Sequence, residues 1–265
     1  MGSRAHLVVL MRVRLALVQM RITSDIGANL ESISAYASRA KRARADVVVF
    51  PEICVTGNLK INPKRDGGGV YLKHFAGLAK REGLDIVAGS IIEPSRGGRM
   101  RNVSYYIDRR GRTLARYAKR NLWKSEMRSI AAGSSAAVAR TRFGKIGILV
   151  CWDIMRPEFF AELAARGVSI VACPSYWWKA GIYGVDGRLM DSILKTRCFE
   201  NGVIVAYCNA AGSSRGRLLL GRSQVVSPVT LRRRALGHNR EGMLVADVDT
   251  GSAGRAAKIY RLRGG

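Results

Sequence analysis

The chain has 265 residues, of which 48% are hydrophobic, enough apolar material for the core of one large domain. No apolar run approaches the roughly 20 residues that a membrane helix needs, so we expect no membrane partner. The formal net charge of +26 predicts an electropositive surface. Because the basic residues are spread along the chain without a recognisable nucleic-acid-binding motif, we expect a solvated basic surface and no specific nucleic-acid partner.

The cysteines and histidines argue against a disulfide-bonded or metal-containing protein. The five cysteines are an odd number and most lie in apolar runs, which favours the reducing environment of the cytoplasm. The three histidines are scattered singly, and no pair of cysteines has the spacing of metal ligands. No glycine-rich phosphate-binding loop with a nearby lysine is present, so we expect neither a metal nor an organic cofactor.

The first part of the chain predicts strands that alternate with helices. Branched apolar residues indicate strands over residues 12–19, 46–50 and 85–92. Between these strands, apolar residues at helical spacing predict helices over residues 29–44 and 71–80. The resulting order β-α-β-α-β favours a sheet that is covered by helices.

The rest of the chain predicts paired strands with further helices. Hairpins are expected over residues 101–118 and 136–150, each around a glycine. A strand, a helix, a strand and an antiparallel C-terminal group of three strands follow, at residues 168–173, 189–200, 203–208, 223–227, 230–236 and 243–248. Because no internal repeat or linker is found, we predict one domain over residues 1–265, with residues 1–10 as a candidate N-terminal extension.

Cys151 lies where a predicted strand passes into a predicted helix. Residues 146–150 are a short apolar run, and Arg156-Pro157-Glu158 is typical of a helix start, because proline and an acidic residue suit the first turn. A helix N-terminus lowers the pKa of a nearby thiol, so this position suits a thiolate nucleophile. On this segment alone, the alternative is a small core residue, as most free cysteines are.

Two more ionisable residues lie at the ends of predicted strands. Glu52 follows the strand at residues 46–50, where a carboxylate beside apolar surface can accept and return a proton. Lys119 follows the second strand of the first hairpin. Taken singly, each residue has a simpler explanation: Glu52 as an exposed loop residue, and Lys119 as one more surface lysine of a basic protein.

Together these segments resemble the three signatures of the nitrilase, or carbon–nitrogen hydrolase, superfamily. The matching segments, in the order of the family, are Phe50-Pro51-Glu52, Tyr117 to Leu122, and Cys151-Trp152-Asp153 followed by Pro157-Glu158. Two further matches are Glu126 with Gly133 after it, and Arg197 with Glu200 and Asn201 before a predicted strand. The similarity extends from Leu15 to Asp249 and therefore covers nearly the whole chain.

The resemblance implies an α/β fold, a four-layer αββα sandwich, with Glu52, Lys119 and Cys151 as catalytic residues. Glu52 would take the proton of Cys151, which attacks a carbonyl or nitrile carbon. Lys119 and the backbone N–H of Trp152 would stabilise the negative charge that develops, and Glu126 would orient substrate or water. The family commonly pairs subunits, so a homodimer or higher homo-oligomer is expected.

The chain departs from the family pattern near these residues. Met155-Arg156 replaces the Arg-Phe that many members carry before the proline, and Asn121 stands where histidine is frequent. Three aromatic residues follow a predicted strand where the family places residues that line the pocket: Tyr176, Trp177 and Trp178. We expect these aromatics to shape a site for the acyl group, with simple packing as the alternative. Arg156, beside Cys151, is a candidate pocket residue that would favour an anionic substrate, with a solvated helix-start arginine as the alternative.

The predicted function is hydrolysis of a non-peptide carbon–nitrogen bond in a small-molecule amide or N-carbamoyl compound, through a cysteine thioester with release of ammonia. The sequence Cys-Trp-Asp, rather than Cys-Trp-Glu, favours amides over nitriles. One alternative is a nitrilase that converts a nitrile to a carboxylic acid. Another is a basic binding protein on an inactive hydrolase scaffold, although such a scaffold needs none of Glu52, Lys119 and Cys151.

Overall fold

The computed structural model of the chain describes residues 12–58, 69–95, 98–179, 186–214, 216–231 and 233–260. Residues 1–10, the candidate N-terminal extension, lie outside the described residues, and the single domain over residues 1–265 stays a prediction. The elements of the first part are β1 (Arg12–Gln19), α1 (Ile26–Arg42), β2 (Val47–Val49), α2 (Val70–Glu82), β3 (Asp85–Val87), β4 (Ile91–Pro94), β5 (Met100–Ile107) and β6 (Thr113–Ala118).

The second part begins with the hairpin β7 (Ala137–Thr141) and β8 (Gly144–Ile148), which a short 3-10 helix (Cys151–Met155) follows. The remaining elements are α3 (Pro157–Ala165), β9 (Ile170–Ser175), α4 (Gly187–Asn201), β10 (Ile204–Asn209), β11 (Ser213–Ser214), β12 (Arg217–Leu218), β13 (Gln224–Val226), β14 (Arg233–Ala235), β15 (Gly242–Asp249) and α5 (Gly251–Tyr260).

Two mixed sheets contain nearly all of these strands. The first sheet has the order β15-β1-β2-β3-β5-β4, with β6 paired to β5, and the second has the order β14-β13-β10-β9-β8-β7. The last strand, β15, was expected beside β13 and β14, but it pairs antiparallel with β1 along its whole length, from Arg12 opposite Asp249 to Gln19 opposite Gly242. The C-terminal strands are therefore divided between the two sheets.

Alternation of side chains along the strands builds the layers. On β1, Val13, Leu15 and Leu17 join the core between the sheets, whereas Ala16 and Val18 pack towards helices α1 and α2. The helices contribute the other side of this outer core, chiefly through Ile33, Ala37, Ala40, Phe75 and Leu78. This half of the molecule is thus one helical layer on one sheet.

The second sheet is covered in the same way by α3 and α4. The buried residues of α3 are Phe160, Leu163 and Ala164, and those of α4 include Met190 and Leu194. All of them belong to the hydrophobic cluster that also fills the space between the sheets. The arrangement of helix, sheet, sheet and helix confirms the predicted four-layer αββα sandwich.

The strand predicted over residues 85–92 is two strands, β3 and β4, because Gly89 lies between them with a φ of 61°. A Cβ atom at Gly89 would lie 2.1 Å from the carbonyl oxygen of Pro51, so no side chain fits there. The hydroxyl of Ser90 accepts the backbone N–H of Ile53 at 3.0 Å. The break in the strand therefore holds the turn that carries Glu52.

Two helices differ from the sequence prediction. Helix α1 begins at Ile26 rather than at residue 29, because the side chain of Asp25 caps it by accepting the backbone N–H of Ala28. Helix α5 was not predicted; it buries Ala253 and Ala256. Across the described ranges, every helix is too short or too polar to cross a lipid bilayer.

Candidate active site

A buried lysine lies between two buried glutamates at the end of the first sheet. Lys119 follows β6, and its Nζ is 2.9 Å from Oε1 of Glu52 and 2.7 Å from Oε2 of Glu126. All three residues are at most 4% exposed, which rules out the surface explanations for Glu52 and Lys119. We call Glu52, Asn102, Lys119 and Glu126 the carboxylate half of the site.

Asn102 is the member of this half that the sequence analysis did not identify. It lies on β5, and its Nδ2 donates to Oε1 of Glu52 at 2.8 Å and to Oε1 of Glu126 at 3.1 Å. The backbone carbonyl oxygen of Asn102 accepts the backbone N–H of Lys119 at 2.9 Å. A polar residue in the buried register of a predicted strand was the available signal, but that signal does not identify the partners.

The two glutamates differ in how their oxygens are used. Glu126 accepts from Asn102 on Oε1, and from Lys119 and the backbone N–H of Trp123 on Oε2. Glu52 accepts from both Lys119 and Asn102 on Oε1. Among the residues that the structure describes, none donates to Oε2 of Glu52, so this oxygen is available for a proton.

A glycine allows the lysine segment to pack closely against the chain that follows Glu126. The backbone N–H of Gly133 donates to the carbonyl of Lys119 at 2.8 Å. A Cβ atom at Gly133 would lie 2.2 Å from the carbonyl oxygen of Ala118. Gly133, which matched the family pattern, therefore permits the hydrogen bond that fixes the backbone of Lys119.

The charges around Lys119 keep it in its cationic form. Burial lowers the pKa of Lys119, but the nearby charges of Glu52 and Glu126 raise it more, so that the pKa lies well above its ordinary value. The carboxylate half then holds one positive and two negative charges in a space closed to bulk solvent. A cation held in this way exerts a strong field on any charge that forms beside it.

Cys151 contributes a buried thiol from the end of the second sheet. It begins the 3-10 helix with a φ of 49°, a conformation that residues other than glycine rarely adopt, and is 8% exposed. Burial and the charge of Glu52 raise the pKa of this thiol, while Lys119 and the backbone N–H of Tyr176 lower it. The pKa lies well above its ordinary value, contrary to the expectation of a lowered one.

The expectation of a lowered pKa was wrong because of burial, since α3 begins where the sequence placed the helix start. The 3-10 helix occupies Cys151–Met155, and α3 begins at Pro157, with Glu158 in its first turn as expected. Desolvation of the thiolate is the largest influence on Cys151. The thiol therefore binds its proton more tightly than an exposed cysteine does.

Hydrogen bonds to Asp153 link the backbone turn at Cys151 to the segment that carries Lys119. The Oδ2 atom of Asp153 accepts the backbone N–H of Val150 and the hydroxyl of Tyr117, both at 2.8 Å, and its Oδ1 accepts the backbone N–H of Asn121 at 2.7 Å. The amide of Asn121 in turn donates to the carbonyl oxygen of Trp152 at 2.8 Å. We call residues 150–155 the nucleophile half of the site.

Burial raises the pKa of Asp153 to about 6, although the charge of Lys119 and the hydrogen bonds from Val150, Asn121 and Tyr117 oppose this. A further contact comes from α4, where Nε of Arg197 donates to the carbonyl oxygen of Ile154 at 3.2 Å. The Arg197 match to the family pattern thus corresponds to a residue that supports the 3-10 helix.

The predicted pocket residues lie in different surroundings. Trp177 is buried, and its ring lies 5.1 Å from that of Trp152, which in turn lies 4.3 Å from that of Trp123. Tyr176 contributes the backbone N–H that faces the thiol of Cys151. The three tryptophans therefore form an aromatic row along the nucleophile turn.

Trp178 and Arg156 are placed away from this row. Trp178 packs against the cluster between the first sheet and its helices. Arg156 has a side chain that is 54% exposed and lies 3.6 Å from Glu158. Within the described part of the chain, no group of three or more His, Cys, Asp or Glu residues could hold a metal ion, and the absence of a cofactor stays a prediction.

Comparison with known proteins shows which proteins this chain resembles. Residues 14–258 match the family described as Carbon-nitrogen hydrolase. A probable nitrilase of Schizosaccharomyces pombe is 26% identical over 262 residues, covering 94% of this chain and 93% of that protein. The 2-oxoglutaramate amidase of Bacillus subtilis is 30% identical over 220 residues, covering 77% of this chain and 78% of that protein.

A solved structure is similar over the same extent. A cysteine-to-alanine mutant of the amidase from Nesterenkonia sp. AN1, in complex with butyramide, superposes with a TM-score of 0.80. It is 26% identical and covers 94% of this chain and 96% of that chain.

Proposed function

Because the chain belongs to the carbon–nitrogen hydrolase family, we propose that it cleaves a small-molecule primary amide or N-carbamoyl compound through a thioester on Cys151, with release of ammonia. The observation that carries this proposal is the buried ammonium of Lys119 between two carboxylates, close enough to Cys151 for its charge to act on the thiol. The relatives that act on 2-oxoglutaramate and bind butyramide favour amides as the substrate class.

The raised pKa of Cys151 makes a base necessary. Because the thiol binds its proton tightly, that proton has to leave as the sulfur attacks the carbonyl carbon. Glu52 is the group suited to receive it, since its Oε2 has no donor among the described residues. Glu126 has donors on both oxygens, so it holds Lys119 in place and does not serve as the base.

Attack by sulfur turns the carbonyl oxygen into an oxyanion, which needs donors that are already in position. Lys119 supplies a fixed positive charge, and the backbone N–H of Trp152 supplies a second donor. Asn121 holds the carbonyl of Trp152 and so limits rotation of the turn. Removal of one such donor typically lowers kcat by about 10²–10³-fold.

The same proton is then transferred to the leaving group. Glu52 returns it to the amide nitrogen as the carbon–nitrogen bond breaks, which releases ammonia and leaves an acyl group on Cys151. Water next attacks the thioester while Glu52 accepts one of its protons, and the carbon–sulfur bond breaks. For a primary amide the products are a carboxylic acid and ammonia, whereas an N-carbamoyl compound gives ammonia and a carbamic acid, which breaks down to an amine and carbon dioxide. The thiol regains its proton from Glu52.

The Nesterenkonia amidase offers a parallel for the nucleophilicity of the cysteine, though not for the thioester itself. In another mutant of that enzyme, the acetamide moiety of fluoroacetamide adds covalently at the active site cysteine. In this chain the aromatic row Trp123, Trp152 and Trp177 lies along the nucleophile turn, where it offers an apolar surface to the acyl group. We therefore favour amides of short, uncharged acyl groups as first substrates.

The decisive experiment is ammonia release from a panel of aliphatic amides, N-carbamoyl amino acids and nitriles. We expect turnover of amides or N-carbamoyl compounds and, after rapid acid quench, a mass increase on wild-type protein that equals the acyl group. Cys151→Ala should show neither. Turnover of nitriles alone would favour a nitrilase. No turnover and no adduct on any compound would favour a basic binding protein on an inactive scaffold.

Assembly and location stay predictions. The family resemblance implies a homodimer or higher homo-oligomer, and Leu189 and Phe199 on the outer helix α4 are exposed at 44% and 38%. Light scattering on the purified protein measures this directly. The five cysteines are all free thiols in the structure, which favours the predicted reducing, cytoplasmic location.

A further inference from the structure

Asn102 contacts three of the residues on which the proposed function rests. It is fully buried on β5, and its side chain meets the carboxylates of Glu52 and Glu126 while its backbone carbonyl accepts the N–H of Lys119. No other side chain of the carboxylate half except Lys119 touches both glutamates. These contacts join residues that lie far apart in the sequence.

The chemistry of the partners fixes how the amide is turned. Carboxylate oxygens only accept hydrogen bonds, so the NH₂ group of Asn102 has to face them. This group has two N–H bonds, one for Glu52 at 2.8 Å and one for Glu126 at 3.1 Å. A serine could donate to one of them only. A lysine or arginine would add a positive charge and weaken Glu52 as a base.

A purely structural role does not explain this asparagine. Its Oδ1 is buried and has no hydrogen-bond partner within the described chain, which costs folding free energy. Asn29, another buried asparagine, has partners on both groups: Oδ1 accepts from Thr23 N, and Nδ2 donates to the carbonyls of Thr23 and Val55. A buried group without a partner calls for an explanation, and a role in the reaction is one.

We propose that Asn102 is a positioning residue of the hydrolytic reaction, which fixes Glu52 and Glu126 around Lys119 and keeps Oε2 of Glu52 as the oxygen that takes the proton. This inference rests on the proposed function, because it assigns Asn102 to the same reaction. Both donors to Glu52 converge on Oε1, so rotation of the carboxylate would break two hydrogen bonds. Asn102 thereby holds two like charges near each other without adding a charge of its own.

The test compares the same changes at two buried asparagines. Asn102→Asp keeps the shape but removes both donors and adds a third carboxylate, and Asn102→Ser removes the bridge without adding charge. Asn29→Asp and Asn29→Ser are the matched controls. For each variant we would measure kcat and KM for ammonia release, the pH midpoint of Cys151 alkylation by iodoacetamide, and urea unfolding.

We expect Asn102→Asp to lower kcat by about 10²-fold with little change in KM, since misplacement of a reacting group has an effect of this size. The charged groups that face the thiol are Glu52, Lys119 and Glu126, so a further negative charge should move the alkylation midpoint to higher pH. Asn102→Ser should lower kcat less. The Asn29 variants should lose stability but keep the kcat and alkylation midpoint of the wild type.

Asn102 variants that fold and retain both kcat and the alkylation midpoint would overturn the inference, while wild-type ammonia release would still support the proposed function. If the wild type turns over no compound, the proposed function fails by itself. The alkylation midpoint, which needs no substrate, then decides whether Asn102 positions the charges around Cys151. If Asn102→Asp does not fold, Asn102→Ser gives the decision.

Discussion

In the carboxylate half of the site, a neutral residue donates to charged side chains, whereas in the nucleophile half a charged residue accepts from neutral groups. Asn102 supplies two N–H bonds to Glu52 and Glu126. Asp153 instead accepts from two backbone N–H groups and the hydroxyl of Tyr117. Both residues are fully buried, so burial does not distinguish them.

The difference follows from what each half has to hold. The carboxylate half contains the charges that the reaction uses, and a neutral donor holds them without cancelling them. The nucleophile half contains a backbone turn with an unfavourable φ at Cys151, and an anion is a strong acceptor for the N–H groups of such a turn. We therefore expect charge changes in the first half to alter chemistry, and changes in the second to alter both geometry and stability.

The largest expected effect is loss of the nucleophile. Cys151→Ala should lower kcat by about 10⁴-fold or more and leave the fold intact, because the thiol makes the covalent bond. Cys208→Ala is the matched control: that thiol is also buried and donates to the carbonyls of Val18 and Val49. The control should lose stability but keep kcat. Near wild-type ammonia release by Cys151→Ala would contradict the proposed mechanism.

Removal of the positive charge and removal of a negative charge in the carboxylate half should shift the pKa of the Cys151 thiol in opposite directions. Lys119→Met removes the charge that lowers the pKa of Cys151, and Glu52→Gln removes one that raises it. The pH midpoint of alkylation should therefore rise in Lys119→Met and fall in Glu52→Gln. Both variants should lower kcat by about 10²–10³-fold, because Lys119→Met lacks the oxyanion donor and Glu52→Gln lacks the base.

Iodoacetamide labelling across a range of pH, followed by mass spectrometry, checks this prediction. Shifts of the same sign in both variants would mean that the two charges do not act on the thiol as the geometry indicates. Unchanged turnover in Glu52→Gln would instead point to a different base.

Asp153→Asn tests the nucleophile half and should have a smaller effect on turnover. The pKa of Asp153 is raised from 3.8 to about 6 by burial, so between these values the native state holds a proton that the unfolded chain has lost. Its contribution to stability is fully present below about pH 4 and is lost as pH rises through about 6. The free energy of unfolding should fall with pH by up to about 1.4 kcal/mol per unit from this group.

Urea unfolding of the wild type and of Asp153→Asn from acid to neutral pH measures this slope by difference. The variant should also lower kcat by about tenfold, since an amide cannot accept from all three donors. Asp85→Asn is the matched control, because Asp85 also accepts a tyrosine hydroxyl, that of Tyr106, and a backbone N–H. Equal losses of kcat in both variants would remove the special role of Asp153.

The smallest expected effect is at the exposed edge of the nucleophile half. Arg156→Ala should change the free energy of unfolding by less than about 0.5 kcal/mol, because its pair with Glu158 is exposed and 3.6 Å long. If Arg156 attracts anionic substrates, the variant should raise KM for an anionic amide and leave KM for a neutral amide unchanged. Equal KM changes for both would exclude that role.

Local patterns in the sequence determined most strands, most helices and the positions of the reactive residues. Alternation on β1 and helical spacing on α1 and α2 are properties of neighbouring residues, so they can be recognised without knowing the partners. Glu52, Lys119 and Cys151 were identified because each follows a strand and matches a family signature. Those predictions required only short segments of the chain.

The tertiary structure alone decided what surrounds these residues. The contacts of Asn102 join positions that are 50 and 24 residues apart, and those of Asp153 reach 36 residues back to Tyr117. The pKa of Cys151 followed from burial and from charges on the other sheet, which outweighed the helix start visible in the sequence. Desolvation and charge–charge interactions depend on distances in space, and spacing along a chain does not specify them.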